Sequence, residues 1–193
     1  MRIVFIGPPG AGKGTQAQKL IAYLNIPHLS TGDMLRDARA RQTEVGRLAE
    51  EYMSNGQLVP DPVVLKIVGE RLELPDCQRG GLFDGFPRTL GQAQSLDRYL
   101  DETSRPLDLV LELNVPHEEL LRRLAGRGRN DDRPEVIRQR LVGYEQQTRP
   151  LLEYYRQRGL LRSIDGTGDP DAVFDRIKHV LDTELTNHDA ARN

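Results

Sequence analysis

The chain encodes an α/β protein with a parallel sheet, and the alternation of its patterns carries that reading. Arg2-Ile3-Val4-Phe5-Ile6 is a short apolar, β-branched run halted by Gly7-Pro8-Pro9-Gly10, as expected of a strand buried on both faces. Ala17, Leu20, Ile21 and Leu24 then follow at helical spacing, giving one stripe to lay on a sheet. Further strand candidates at Leu82-Phe83, Leu109 to Leu113 and Leu160 to Ile164 are each followed by a helical pattern.

The remaining segments fit around that frame. Residues 31 to about 72 hold three helical stretches and no convincing strand, which reads as a small helical insertion between the second and third strands. Asp61-Pro62 and Asp169-Pro170 each pair an acceptor cap with a proline at the first helical position. From Pro116, early Glu118 and Glu119 and late Arg122 and Arg123 follow the helix dipole, and Gly126 suits the C-terminal cap. Ile137, Leu141, Tyr144, Thr148, Leu151 and Tyr155 share one face of a long helical pattern that Pro150 must kink or split. From Thr186 to Asn193 the chain is polar and aperiodic, as expected of a frayed tail.

Composition narrows the class of function. The 193 residues carry 27 Lys+Arg against 29 Asp+Glu, a formal net charge of −2, and are 37% hydrophobic with 18 glycines. Disorder and a polyanion-binding surface are both disfavoured by that balance. Apolar runs of about five residues fall far short of the roughly 20 that span a bilayer. Cys77 stands alone, so neither an intrachain disulfide nor a multi-cysteine zinc site is available. These features lead us to expect a cytoplasmic protein that binds neither nucleic acid nor membrane. Arginine outnumbers lysine 23 to 4, and Arg122, Arg123, Arg127, Arg129, Arg133, Arg138 and Arg140 fall within 19 residues. Guanidinium forks in that density suit a bounded phosphate group.

The chemistry is announced by Gly7-Pro8-Pro9-Gly10-Ala11-Gly12-Lys13, which fits G-x-x-x-x-G-K between a strand and a helix. Small residues let successive backbone N–H groups turn toward a phosphate chain, the helix N-terminus adds positive dipole, and Lys13 reaches the β- and γ-phosphates. Gly14 stands where this loop usually has a magnesium-binding hydroxyl, and Thr15 comes one place late. A magnesium ion would then be held by phosphates and water, with Asp84 in the outer shell.

Five blocks in order resemble the adenylate kinase family over essentially the whole chain. They are Gly7 to Thr15, Ser30-Thr31-Gly32-Asp33-Met34-Leu35-Arg36, Gly56-Gln57-Leu58-Val59-Pro60, Asp84-Gly85-Phe86-Pro87-Arg88, and Gly126-Arg127 with Arg129 through Arg140. The resemblance implies a P-loop NTPase-like, five-stranded parallel sheet with helices on both faces. It divides the chain into a core (1–29, 60–125, 134–185), a nucleoside-monophosphate insertion (30–59), a short lid (126–133) and a tail (186–193). The implied activity is reversible, magnesium-dependent transfer of the terminal phosphate of ATP to AMP, giving two ADP.

Carried over by position, Gly10, Ala11, Gly12, Lys13, Gly14 and Thr15 would hold ATP phosphates, Arg127 would cover them, and Gly168 would pass near the base. Arg123 resembles a residue that stacks on the ATP base. Thr31, Arg36, Gln57, Leu58, Val59, Gly85, Phe86, Pro87, Arg88 and Gln92 match the AMP site, with Arg129 and Arg140 reaching the phosphates from the far side. Lys13, Arg88, Arg127, Arg129 and Arg140 are the catalytic candidates. Arg122, Arg133 and Arg138 read as a solvated helix face, and Asp131 and Asp132 either pair with the lid arginines or contact the ATP ribose. The four histidines, His28, His117, His179 and His188, are scattered outside the phosphate blocks and are assigned structural roles.

Two departures from the family pattern are Gly81, in place of an apolar residue before Asp84, and a lid too short for a zinc-bearing flap. A UMP/CMP kinase is the nearest alternative, which Thr31 and Gln92 disfavour. A nucleotide-dependent switch is another, and it would not need a second anion site. A monomer is expected, since no large apolar face is left over.

Overall fold

A computed structural model describes residues 1–126 and 133–190, with backbone alone for 187–190. In chain order the elements are β1 (Arg2–Ile6), α1 (Lys13–Leu24), β2 (His28–Ser30), α2 (Thr31–Ala40), α3 (Glu44–Ser54) and α4 (Asp61–Leu72). They continue with β3 (Gly81–Asp84), α5 (Leu90–Glu102), β4 (Leu109–Asn114), α6 (His117–Ala125), α7 (Pro134–Gly143), α8 (Pro150–Gln157), β5 (Leu161–Asp165) and α9 (Pro170–Ala190). The five strands form one sheet in the order β2-β3-β1-β4-β5, and every pairing is parallel.

Period-two alternation in β1 sends its residues to opposite faces. Ile3 and Phe5 pack with Leu20, Leu109, Leu111, Ile177 and Leu181, beneath α1 and α9. Val4 and Ile6 pack with Leu29, Phe83, Leu96, Leu100 and Leu151 on the other side. A strand buried on both faces requires helices on both, which is the layered arrangement the alternation implied.

Gly81 opens β3 because a side chain has no room there: a Cβ would lie 2.6 Å from Leu29 Cδ1. The space that the missing apolar residue would fill is taken by Leu29 of the neighbouring strand. In the insertion, α2 and α3 touch backbone to backbone at Gly46, where a Cβ would sit 2.2 Å from the Ala38 carbonyl oxygen.

Two local expectations are corrected. Asp61 is not a cap: Pro60 occupies that place without a side-chain bond, and the Asp61 carboxylate turns to α5. Asp169 does cap α9, accepting from the Asp171 N–H at 2.8 Å. Gly126 is the C-terminal cap of α6 as expected, at φ −89°. Gly32 lies in the first turn of α2. The helix α9 also continues past Thr186 to Ala190, so the frayed tail does not begin at 186; residues 191–193 lie outside those described.

Pro150 splits the long helical pattern as expected. It starts α8, and the chain before it widens into a π-helical turn, Tyr144–Thr148, in which the Arg149 N–H bonds the Tyr144 carbonyl at 2.8 Å. The π turn re-phases the helix so that Tyr144, Thr148, Leu151 and Tyr155 all face inward. The Tyr155 hydroxyl is buried with no hydrogen-bond partner among the described residues. A buried hydroxyl without a partner costs more than it returns. Tyr155→Phe is therefore expected to leave the unfolding free energy unchanged or raise it by up to about 1 kcal/mol, read in calorimetry as an unchanged or higher thermal midpoint.

Candidate active site

The sheet's C-terminal edge opens into a cleft of about 920 Å³. That is the upper end of ordinary ligand pockets, and the position beyond the carboxyl ends of parallel strands is where open α/β sheets bind ligands. One wall is the loop from β1 to α1. Gly10 and Gly12 adopt φ of +86° and +95°, which aims the backbone of this loop in a way that residues with a side chain rarely allow. A Cβ on Gly10 would also meet Leu124 Cγ at 2.9 Å, so the loop is pressed onto α6. Lys13 opens α1, and its Nζ donates to the Gly7 carbonyl at 2.6 Å and the Pro8 carbonyl at 3.2 Å.

Arg123 ties this wall together. Its Nε donates to Glu119 at 2.7 Å, one terminal nitrogen to the Ala11 carbonyl at 3.3 Å, and the other to the Gly166 carbonyl at 3.0 Å. It thus links α6 to both loops, and Gly168 lines the cleft just beyond. Arg122 forks onto the same carboxylate, at 2.7 Å through each of two nitrogens, while remaining largely exposed. Arg122 first and Arg123 next hold the Glu119 carboxyl down to about 2, so these pairs persist into strongly acidic solution.

The opposite wall comes from α2, the return of the insertion, and the segment after β3. Thr31, Arg36, Gln57, Leu58, Val59, Gly85, Pro87, Arg88, Gln92 and Arg140 all line the cleft. Arg88 is braced at its backbone and its head. Nε donates to the Gly85 carbonyl at 2.8 Å, its N–H to Gln92 Oε1 at 2.8 Å, and its carbonyl accepts from Thr148 Oγ1 at 3.0 Å. Burial pulls the Arg88 guanidinium below its ordinary range; the nearby Asp84 charge opposes this, and Arg140 and Arg36 add to it. Arg36, Arg88 and Arg140 thus share one wall, with Asp33 and Asp84 as acidic neighbours. Arg36 also pairs with Asp33, beside Gly32, whose missing side chain leaves the guanidinium room.

At the floor, between the two walls, Asp84 ends β3. Burial raises its carboxyl, but a hydrogen bond from His28 and the charges of Lys13 and Arg88 outweigh that and hold it below the usual carboxylate value. His28 Nε2 lies 3.3 Å from Asp84 Oδ2. His28 lines the cleft, which corrects its assignment to a structural role: β2 pairs with β3 so that Ser30 faces Asp84, and that register was invisible in the spacing of motifs. His117 and His179 lie on exposed helix positions away from it.

Phe86 is the other correction. Its side chain is 1% exposed, packed 6.4 Å between ring centroids from Phe83 in the core, and does not line the cleft. Arg127, Arg129, Asp131 and Asp132 lie outside the described residues. Among the described residues no cluster of three or more His, Cys, Asp or Glu is placed to hold a metal directly.

A phosphate-cradling loop at the head of a helix, facing an arginine-lined second wall across one cleft, defines a P-loop protein of the phosphoryl-transfer type. The sequence profile of the adenylate kinase family matches residues 5–160. The chain is 47% identical to the adenylate kinase of Sinorhizobium medicae over 191 residues, covering 94% of this chain and all of that one. It is 43% identical to that of Archaeoglobus fulgidus and 44% identical to that of Thermodesulfovibrio yellowstonii, each over 213 residues, covering 94% of this chain and 98% and 99% of theirs. The chain belongs to the adenylate kinase family.

The two walls differ in how much they tolerate. A Cβ on Gly85, at φ +76°, would lie 2.9 Å from both Thr31 Oγ1 and an Arg88 terminal nitrogen, whereas one on Gly14 would meet nothing within 4 Å. Gly85→Ala is expected to lower stability by about 1–3 kcal/mol. Gly14→Ala, in the first turn of α1, is expected to be neutral or stabilising by up to about 1 kcal/mol. Thermal unfolding of the two variants checks both.

Proposed function

We propose that the cleft binds ATP against the β1–α1 loop and AMP against the arginine wall, and transfers the terminal phosphate between them to give two ADP. The observation that carries this reading is one cleft with a glycine-rich loop and Lys13 at a helix N-terminus on one wall and Arg36, Arg88 and Arg140 on the other. A protein that merely sensed ATP would need only the first.

The chemistry asks for charge and geometry rather than a proton acceptor. The attacking oxygen of a nucleoside monophosphate is already deprotonated at neutral pH, so no general base is required. The two polyanions must be brought together against their repulsion, aligned, and stabilised while charge spreads over the transferring group. In this reading the backbone of Gly10, Ala11, Gly12, Gly14 and Thr15 holds the ATP phosphates, and Lys13 leaves the Gly7 and Pro8 carbonyls for the β- and γ-oxygens. Gly168 lies along the ATP base through its backbone. Arg88 and Arg36 receive the monophosphate, Arg140 reaches both substrates, and Thr31, Gln57, Leu58, Val59, Gly85, Pro87 and Gln92 surround the second nucleoside. Arg127 and Arg129, placed by the family pattern, would close over the phosphates.

Magnesium is assigned to the nucleotide. Asp84, partly buried and held anionic at the floor of the cleft, suits an outer-shell acceptor for a hydrated cation, and the Gly14 position offers no hydroxyl for a direct bond. When bound, the ion neutralises phosphate charge; alignment and anion binding fall to the protein's own residues. Zinc has no part in this reading.

Water competes as an acceptor, so closure of the insertion (30–59) and the short lid (126–133) over the core is proposed to precede transfer. Support comes from Gly56, at φ +70°, where the insertion returns and packs directly on α7. The short lid is supported by the 191-residue alignment with the Sinorhizobium medicae relative, against 213 for the other two. No helix among the described residues is long and apolar enough to cross a membrane.

Chromatography of MgATP incubated separately with AMP, CMP, UMP and GMP tests the reading. Stoichiometric ADP with AMP alone is expected, and Lys13→Met should slow it by about a hundredfold or more with the thermal midpoint retained. ADP formed mainly with CMP or UMP would move the assignment to pyrimidine monophosphates, and phosphate release indifferent to the monophosphate would overturn it.

A further inference from the structure

The carboxylate freed from capping α4 reaches across to α5. Asp61 Oδ2 accepts from Thr89 Oγ1 at 2.7 Å, and Oδ1 accepts from Gln92 Nε2 at 2.7 Å. On its other side the Gln92 amide oxygen accepts from the Arg88 N–H at 2.8 Å. A carboxylate only accepts and a backbone N–H only donates, so a single orientation of the amide satisfies both. Turning it over would set oxygen against carboxylate and NH₂ against N–H, in a residue only 2% exposed. One amide N–H and one oxygen lone pair are left over, in a fixed order, on a side chain that lines the cleft with Thr31, Val59 and Arg88.

Resting on the assignment of this wall to the nucleoside monophosphate, we propose that Asp61 is a positioning residue for base selection. By locking the Gln92 amide it makes the cleft accept a base edge that sets an exocyclic amine beside a ring acceptor nitrogen, as adenine does. Hypoxanthine and guanine carry a carbonyl in place of that amine, so oxygen would meet oxygen. An amide free to turn over would welcome either edge, because glutamine alone carries both a donor and an acceptor. Gly91 belongs to the same device: a Cβ there would come within 3.2 Å of Asp61 Oδ2, so its absence leaves the carboxylate space to approach.

Asp61→Asn keeps the shape but supplies a side chain that can follow the Gln92 amide in either orientation, so that only the Arg88 N–H still opposes the turn. The ratio of kcat/KM for AMP to that for inosine monophosphate is expected to fall about tenfold or more, with the KM for ATP unchanged. A large wild-type ratio that survives in Asp61→Asn overturns the role of Asp61 and leaves the site assignment standing. A wild-type ratio near one instead removes the assignment of this wall to an adenine nucleotide. Should the variant not fold, the wild-type protein decides by nuclear magnetic resonance of the Gln92 side-chain amide. One proton shifted strongly downfield by the Asp61 carboxylate and slow to exchange with solvent is expected; a pair with the shifts and exchange rate of an exposed glutamine would contradict the lock.

Discussion

Like charges held together before any ligand arrives are the constraint around which this molecule is organised. Arg36, Arg88 and Arg140 face one cleft closely enough that Arg140 and Arg36 depress the proton affinity of Arg88. Such crowding is unfavourable by itself, and the frame must impose it. It does so through the Gly85 carbonyl on the Arg88 head, the Thr148 hydroxyl on its carbonyl and the Gln92 amide on its N–H. Groups held in place in this way need little rearrangement to meet an anion, which is the sense in which a site is preorganised.

The sheet explains why both walls meet. With strands in the order β2-β3-β1-β4-β5, β1 and β3 lie side by side, and the segments leaving their C-terminal ends diverge to opposite sides of the crevice. The segment after β1 builds the phosphate cradle, and the one after β3 carries Asp84, Gly85 and Arg88. Pairing of Phe5 with Asp84 fixes how far apart the two walls begin. A register slip of one residue would exchange the side chains of β3 between two differently packed faces, so the geometry of the cleft is guarded by the same packing that stabilises the core.

Features that were legible in the chain are those encoded by local chemistry. The glycine cradle, the Lys13 that follows it, and the apolar stripe of α1 are each written within a dozen residues, and the structure joins them as expected. The break of the helix at Pro150 is legible for the same reason, because a missing N–H is a local fact, whereas the π turn before it is not. Distant pairings hid the rest. Asp61 sits in front of a proline and looks like a cap, yet its partners Thr89 and Gln92 lie on α5 and come within reach only after β3 has joined the sheet. His28 carries no phosphate motif, and only the β2–β3 register brings it to Asp84. Phe86 lies among site residues in sequence, but its ring follows the core because an aromatic side chain gains more from burial than from a polar cleft. Gly81 looked like a weak place in a strand until Leu29 was seen to occupy the space.

The central claim is that one cleft holds two mutually repelling nucleotides at once, each on its own wall. Calorimetric titration with a single molecule joining two adenosines through a polyphosphate bridge tests this directly, because linking two occupied subsites makes the second binding event intramolecular. The account predicts one molecule bound per chain, at least about a hundredfold more tightly than ATP. Affinity no better than that of ATP alone, or two molecules bound per chain, would contradict it.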